Sequence, residues 1–290
     1  MFGLFILAIA PALFILWYVY RKDSYEQEPL HQVVRVFLLG AFMVIPAALI
    51  ESPFPTGIIT SSVVAPVVEE LLKFSVVFFF VYRLPEFNEP VDGIVYAAAA
   101  GLGFAAVENI VYVLDGGIAV GIIRAVASVP GHMIFSCTWG FALGIAKFRS
   151  EPSARGGIIT AGVAGAILLH GVFNFSLEYF EVAGLLFILF LLIPFGWWFT
   201  RRNIRTAHAD PASVFSSMQK SSARGNQIPP IRDPEIVADP VPARPQLHNQ
   251  IDAIPANQKP NRTTSVHFCT NCGTQFTDGI RFCVNCGKEL

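Results

Sequence analysis

Glu69 and Glu70 stand side by side inside an apolar run, VVEELLKF, and polar residues recur in three later apolar runs: Glu108 and Asn109 in FAAVEN, after Phe104, His132 in PGHMIF, and His170 and Asn174 in HGVFN. Carboxylates are costly in hydrocarbon, so an acid within a membrane-spanning stretch marks a functional site by default. Successive helical residues turn by about 100°, which lets Lys73 project between the directions of Glu69 and Glu70, at spacings of four and three that favour an ion pair. Glu69, Glu70 and Glu108 oppose only Lys73 among these groups. Either one carboxyl stays protonated, or a divalent cation is held by His132, His170 and a glutamate, a His₂Glu set with an open position. Both routes lead to hydrolysis: a carboxylate- or metal-activated water attacks a carbonyl, and a histidine or Asn174 stabilises the oxyanion.

The elements that position these groups follow from composition. With 53% hydrophobic residues, 14% charged residues and 26 phenylalanines, the first 200 residues do not describe a soluble domain, because the apolar stretches recur at about the 20-residue length of a membrane span. Seven spans are expected: 2–20, 31–50, 58–82, 92–114, about 125–146, 157–176 and 182–200. Arg124 interrupts the apolar run before the fifth, which places residues 117–124 at the membrane interface. The first span lacks a basic start and a small-residue cleavage site, so it is expected to be a retained anchor and not a signal peptide. Arg21, Lys22, Arg83, Lys147, Arg149, Arg155, Arg201, Arg202 and Arg205 all fall in alternate loops or the tail, which predicts an external N-terminus and a cytoplasmic C-terminus. At 1.5 Å per residue, Glu69, Glu108, His132 and His170 then lie roughly 17, 9, 11 and 9 Å from the external ends of their spans, in one half of the bilayer. A shared site requires such a common layer.

Each residue also has a plainer reading. Glu69, Glu70 and Lys73 could form a structural ion network, although hydrophobic packing would serve as well. Either histidine alone would be a satisfied core residue, Asn174 a bridge between helices, and Asn109 a group that orients its neighbour. Gly101, Gly103, Gly162 and Gly165 are expected to be close-packing positions, and Cys137 a small packing residue. In a different functional class, the same acids would serve a non-catalytic scaffold or an ion or proton transporter with a carboxylate relay. A transporter would usually show an internal repeat with paired interrupted helices, which this chain lacks.

Residues 206–262 turn abruptly to Pro, Ser, Asn and Gln and are expected to form a disordered linker between a membrane domain, 1–205, and a tail domain, 263–290. In that tail Cys269 and Cys272, and then Cys283 and Cys286, form two CxxC pairs, each followed by a glycine. Two such knuckles complete a closed Cys₄ site for structural zinc. A segment this short buries too little apolar surface to fold alone, so the metal is expected to supply the folding free energy. A redox dithiol pair or disulfides are the alternatives, disfavoured by the reducing compartment that the topology implies. His267 lies near enough to ligate, but four thiolates fill the shell.

In the order DSYEQEP (Asp23 to Pro29), EELLK, DGIVYAAAAGLGFAAVENIVY (Asp92 to Tyr112), PGHMIFS and HGVFN, the first 200 residues resemble the PrsW-type intramembrane proteases, distant relatives of the CAAX prenyl endopeptidases. The resemblance implies an all-α polytopic peptidase whose catalytic groups are Glu69, Glu70, Glu108, His132 and His170, with Asn174 at a position that takes Asn or Asp. It also implies site-1 cleavage of membrane-bound anti-sigma factors in stress signalling. The simplest members lack the linker and ribbon. The expected partners are therefore the membrane, a membrane-anchored protein substrate, and a cytoplasmic protein or the substrate's inner domain held by the ribbon. No nucleic-acid partner is expected.

Overall fold

The structure is a computed structural model that describes residues 2–23, 26–210, 212, 266–268 and 275–277. Helix α1 spans Phe2–Tyr20, α2 Leu30–Phe42 and α3 Val44–Glu51; a π-helical turn, Thr60–Val64, leads into α4, Ala65–Phe80. Then come α5, Pro90–Val126, α6, Ser128–Lys147, and α7, Pro152–Phe187; a second π turn, Ile188–Leu192, joins α7 to α8, Ile193–Ala209. Prolines stand in the first turn of α5 and α7, where the missing N–H is no loss, and directly after the π turns in α4 and α8. At the start of α5, Asp92 Oδ2 accepts the Glu89 amide at 2.7 Å, and the Glu89 side chain accepts in return, closing a capping box.

Among the described residues, four stretches are long and apolar enough to cross a bilayer: Gly3–Tyr20, Leu30–Glu51, Pro90–Lys147 and Pro152–Ala209. The last two run to 58 residues each, and a straight helix of that length would reach about 87 Å, far beyond a hydrocarbon core of about 30 Å. Both are broken. Gly117, at φ 73°, separates Pro90–Gly116 from a short helix that carries Arg124 and ends at Val126, and Glu181, at φ 47°, separates the long arm of α7 from its continuation. Six of the expected spans fall on these segments with shifted ends, and the third, 58–82, falls on the π turn and α4, which lie outside the four stretches. The fourth helical arm reaches Gly116 rather than 114, residues 118–126 are helical, α6 starts at Ser128 rather than 125, and the first arm of α7 runs from Pro152 to Phe180 rather than over 157–176. Charged loop residues had trimmed the expected ends, yet helices continue past the hydrocarbon into the polar margin. For the same reason α8 runs to Ala209, four residues into the stretch expected to be linker.

Helix α5 is the central post. Residues Val91 to Ala106 are buried along their whole length, and most are small, which lets neighbouring backbones approach closely. A Cβ on Gly103 would sit 2.0 Å from the Phe37 carbonyl oxygen of α2, on Gly101 2.4 Å from Ser136 Oγ, and on Gly162 2.3 Å from Ala142 Cβ. Gly165 differs from the expectation: a Cβ there would meet Thr138 at an ordinary 3.7 Å, so no close approach requires it. The bundle's outer surface is apolar, with Phe79, Phe190 and Leu49 each about 70% exposed, as suits a solvent of lipid chains. Cys137 is buried and directs its thiol to Met133 Sδ and the Ile94 carbonyl, a packing role.

A second compact unit holds the tail. Its strands β1, Val266–Phe268, and β2, Gln275–Thr277, pair antiparallel with His267 opposite Phe276. Cys269, Cys272, Cys283 and Cys286, and the linker beyond Ala212, lie outside the described residues.

Candidate active site

Helix α4 presents Glu69 and Glu70 one turn before Lys73, and both carboxylates meet its ammonium. Lys73 Nζ lies 3.0 Å from Glu69 Oε2, 2.9 Å from Glu70 Oε1 and 2.9 Å from His132 Nδ1, above the Phe104 ring at 4.2 Å. An ammonium can only donate, so His132 Nδ1 accepts and its Nε2 carries the proton. That nitrogen faces Glu108 Oε2 at 2.8 Å. Helix α7 supplies His170, whose Nδ1 lies 3.1 Å from Glu70 Oε1 and whose Nε2 is 4.0 Å from Glu69 Oε2. The two imidazole rings are 5.2 Å apart, and Phe135 stacks on His170 at 4.8 Å.

The two adjacent glutamates have different surroundings. Glu70 is fully enclosed: Oε1 takes Lys73 and His170, and Oε2 accepts the Trp139 indole N–H at 3.0 Å. Glu69 borders a cavity of about 680 Å³ whose wall also includes Glu108, His132, His170, Asn174 and Arg124. One helical step of about 100° therefore separates the acid that meets the cavity from the acid behind it.

Asn174 reaches the cavity from the next turn of α7, but its Nδ2 already donates to the Ser61 carbonyl at 2.8 Å. Ser61 lies in the π turn before α4, where the widened helix releases a carbonyl from the usual ladder. The two elements are pressed together at Gly171, where a Cβ would come within 2.5 Å of the Ser62 carbonyl oxygen. Asn109 points away from the histidines. Its Oδ1 accepts Arg124 Nε at 2.7 Å, and its Nδ2 faces the Ala8 carbonyl of α1 at 3.5 Å.

Arg124, Trp139 and Ser61 are parts of the site that sequence reasoning missed. Arg124 lies 2.9 Å from Glu108 Oε2 and stacks over Tyr112 at 4.0 Å, so it adds a second positive charge to the intramembrane acids. The rule that drew attention to the glutamates, an ionisable residue in an apolar run, applies equally to Arg124. Trp139 and the Ser61 carbonyl carry no such signal.

For a metal, the donor chemistry fits. One ligand atom each from Glu69, His132 and His170 lies within 4.8 Å of the others, all three residues are buried, and they supply two imidazole nitrogens and a carboxylate oxygen. Each histidine turns its other nitrogen toward a carboxylate, Glu108 for His132 and Glu70 for His170, which is the usual support of a ligating imidazole. Lys73 competes, because it donates to the His132 nitrogen that faces Glu69.

Comparison with known proteins gives the same direction. The sequence model described as "PrsW family intramembrane metalloprotease" matches residues 28–199, and one described as a zinc-ribbon domain matches 268–290. "Protease PrsW" of Geobacillus kaustophilus is 38% identical over 238 residues, covering 80% of this chain and 99% of that protein. "Protease PrsW" of Bacillus subtilis is 34% identical over 215 residues, 72% and 97% of the two chains, and that of Clostridioides difficile 36% over 205 residues, 66% and 86%. No solved structure gives a significant match. The apolar helices, the intramembrane ions and these relatives agree: the chain is a multi-pass membrane peptidase that belongs to the PrsW family of intramembrane metalloproteases.

Proposed function

We propose that Glu69, Glu70, Glu108, His132, His170 and Asn174 are the working groups of this peptidase, and that the cavity beside Glu69 is where a membrane-anchored protein is cut. The observation that carries this reading is the position of Glu69: it borders the cavity between two histidines, each braced from behind by another carboxylate. A divalent cation bound by Glu69, His132 and His170 would polarise the scissile carbonyl and acidify the attacking water. Glu70 and Glu108 fix the two imidazoles, and Lys73 offsets the charge of the adjacent glutamates. Without that cation, Glu69 itself would take the proton from water and return it to the leaving amine, which balances the hydrolysis. Asn174 lines the cavity, and its second amide hydrogen, beyond the one given to Ser61, would serve the oxyanion.

We read the chain as crossing the bilayer seven times with the N-terminus outside, which sets the cut near the external face. The tail binds zinc through Cys269, Cys272, Cys283 and Cys286 and holds a cytoplasmic partner or the substrate's inner domain; deletion of residues 263–290 with no change in substrate choice or complex formation would rule that role out. The decisive experiment is quantitative N-terminal proteomics of membranes from cells lacking the protein, complemented with wild type, Glu69→Ala or His170→Ala at equal expression. New protein ends near the external ends of single-pass helices, present only with wild type, support the site. Identical termini in all samples under several envelope stresses would overturn it and favour the scaffold or transporter reading.

A further inference from the structure

A second buried cluster lies at the opposite end of α5 from Glu108, sixteen residues or about 24 Å along the helix. Asp23 follows α1, Glu28 precedes α2, Glu89 caps α5, Asp92 is its third residue, and His208 stands in the last turn of α8. All four carboxylates are at most 2% exposed. One oxygen each from Asp23, Glu28 and Asp92 lies within 4.8 Å of the others, and Asp23 is grouped equally closely with Glu89 and His208.

Two features distinguish this cluster from acids that merely share a surface. The first is Asp92. Its Oδ2 caps α5 through the amides of Asn88 and Glu89, both at 2.7 Å, while its Oδ1 is buried and meets no hydrogen-bond donor among the described residues. A carboxylate oxygen removed from water without a donor is strongly disfavoured unless a cation or a proton meets it. Lys147 is near, but its ammonium donates to the carbonyls of Tyr82 and Phe87, at 2.5 and 2.7 Å, and not to the acids. The second is size. Oxygens that ligate one calcium ion at 2.3–2.6 Å lie no more than about 5 Å apart, and the three carboxylates fall inside that limit.

We propose that Asp23, Glu28 and Asp92 bind one hard divalent cation, of the Ca²⁺, Mg²⁺ or Mn²⁺ kind, with Glu89 and His208 at the edge of its shell. The ion ties the α1–α2 connection, the start of α5 and the end of α8 together, at the far end of the helix that carries Glu108. This site is chemically unlike the other two metal sets, one rich in histidine and one in thiolate, which take softer metals.

The test uses the full chain with its ribbon loaded with zinc, in nanodiscs, washed with chelator and titrated with radioactive Ca²⁺ by equilibrium dialysis and with Mn²⁺ by electron paramagnetic resonance. Wild type and His170→Ala are expected to bind one equivalent of Ca²⁺, His170→Ala one equivalent of Mn²⁺, and Glu28→Gln and Asp92→Asn to bind Ca²⁺ more than about tenfold more weakly. Because Asp92 also caps α5, Asp23→Asn carries the comparison if Asp92→Asn fails to fold. Absence of binding by wild type at millimolar Ca²⁺, Mg²⁺ and Mn²⁺, or unchanged binding in both Glu28→Gln and Asp23→Asn, overturns the proposal. None of these readouts depends on proteolysis, so failure here leaves the active-site reading standing.

Discussion

His170 Nδ1 lies 3.1 Å from Glu70 Oε1, and this contact turns the other imidazole nitrogen toward Glu69 and the cavity. In the proposed mechanism the neighbouring glutamates divide the work: Glu69 would meet the water, and Glu70 would set the histidine. Glu69→Gln is expected to lower kcat by roughly 10²–10⁴-fold while leaving thermal stability near wild type. Glu70→Gln is expected to lower both, because that carboxylate is fully enclosed and, besides the Lys73 it shares with Glu69, receives Trp139 and faces His170. Cleavage of a reporter taken from the proteomics, beside thermal unfolding in the same detergent, separates the two. Equal stability losses would remove the division of roles.

Lys73 is fully enclosed and is shared by Glu69, Glu70 and His132. Lys73→Met leaves two facing carboxylates without their cation and is expected to destabilise the fold by about 3–5 kcal/mol. Adding Glu70→Gln to Lys73→Met should recover part of that loss, since the remaining buried charge is then smaller. A double variant less stable than Lys73→Met alone would contradict this account.

Much of this site is legible in the sequence for a geometric reason. The 100° step fixes how Glu69, Glu70 and Lys73 relate to each other, and depth arithmetic places Glu108, His132 and His170 in their layer. Neither rule gives the rotation of α4 about its own axis, so which glutamate faces the cavity appears only in the folded bundle. Arg124 is legible in kind but reads as an interruption before the fifth span, because the turn at Gly117 that folds it back over Glu108 has no helical periodicity. The Trp139 bond to Glu70 and the Asn174 bond to Ser61 arise from tertiary packing and a π turn, and the pattern of residues does not encode either.

Arg124 bridges Glu108 and Asn109, and Glu108 in turn faces His132 Nε2. Removal of the guanidinium is expected to loosen His132 without touching substrate. Arg124→Gln should therefore lower kcat by about 10–100-fold with KM little changed. Arg124→Lys should rescue this only in part, since a single ammonium cannot hold a carboxylate and an amide oxygen in one plane. A full rescue by lysine, or a loss confined to KM, would show that charge at the cavity wall matters and position does not.

Glu69, His132 and His170 form one donor set and the two CxxC pairs another, so transition-metal content should fall in separable steps. Purified wild type is expected to hold two equivalents after removal of loosely bound ions. Cys272→Ser with Cys286→Ser should lose one and keep proteolysis of a reporter, because the ribbon's thiolates are remote in sequence from the hydrolytic groups. His170→Ala should lose the other and abolish turnover. Because Lys73 competes for the His132 nitrogen, Lys73→Met should bind the intramembrane metal more tightly than wild type even as its fold weakens. Elemental analysis of the four proteins decides the matter. If His170→Ala keeps the full metal content of wild type, Glu69 works without a metal, and the ammonium of Lys73 is the cation that this site was built to hold.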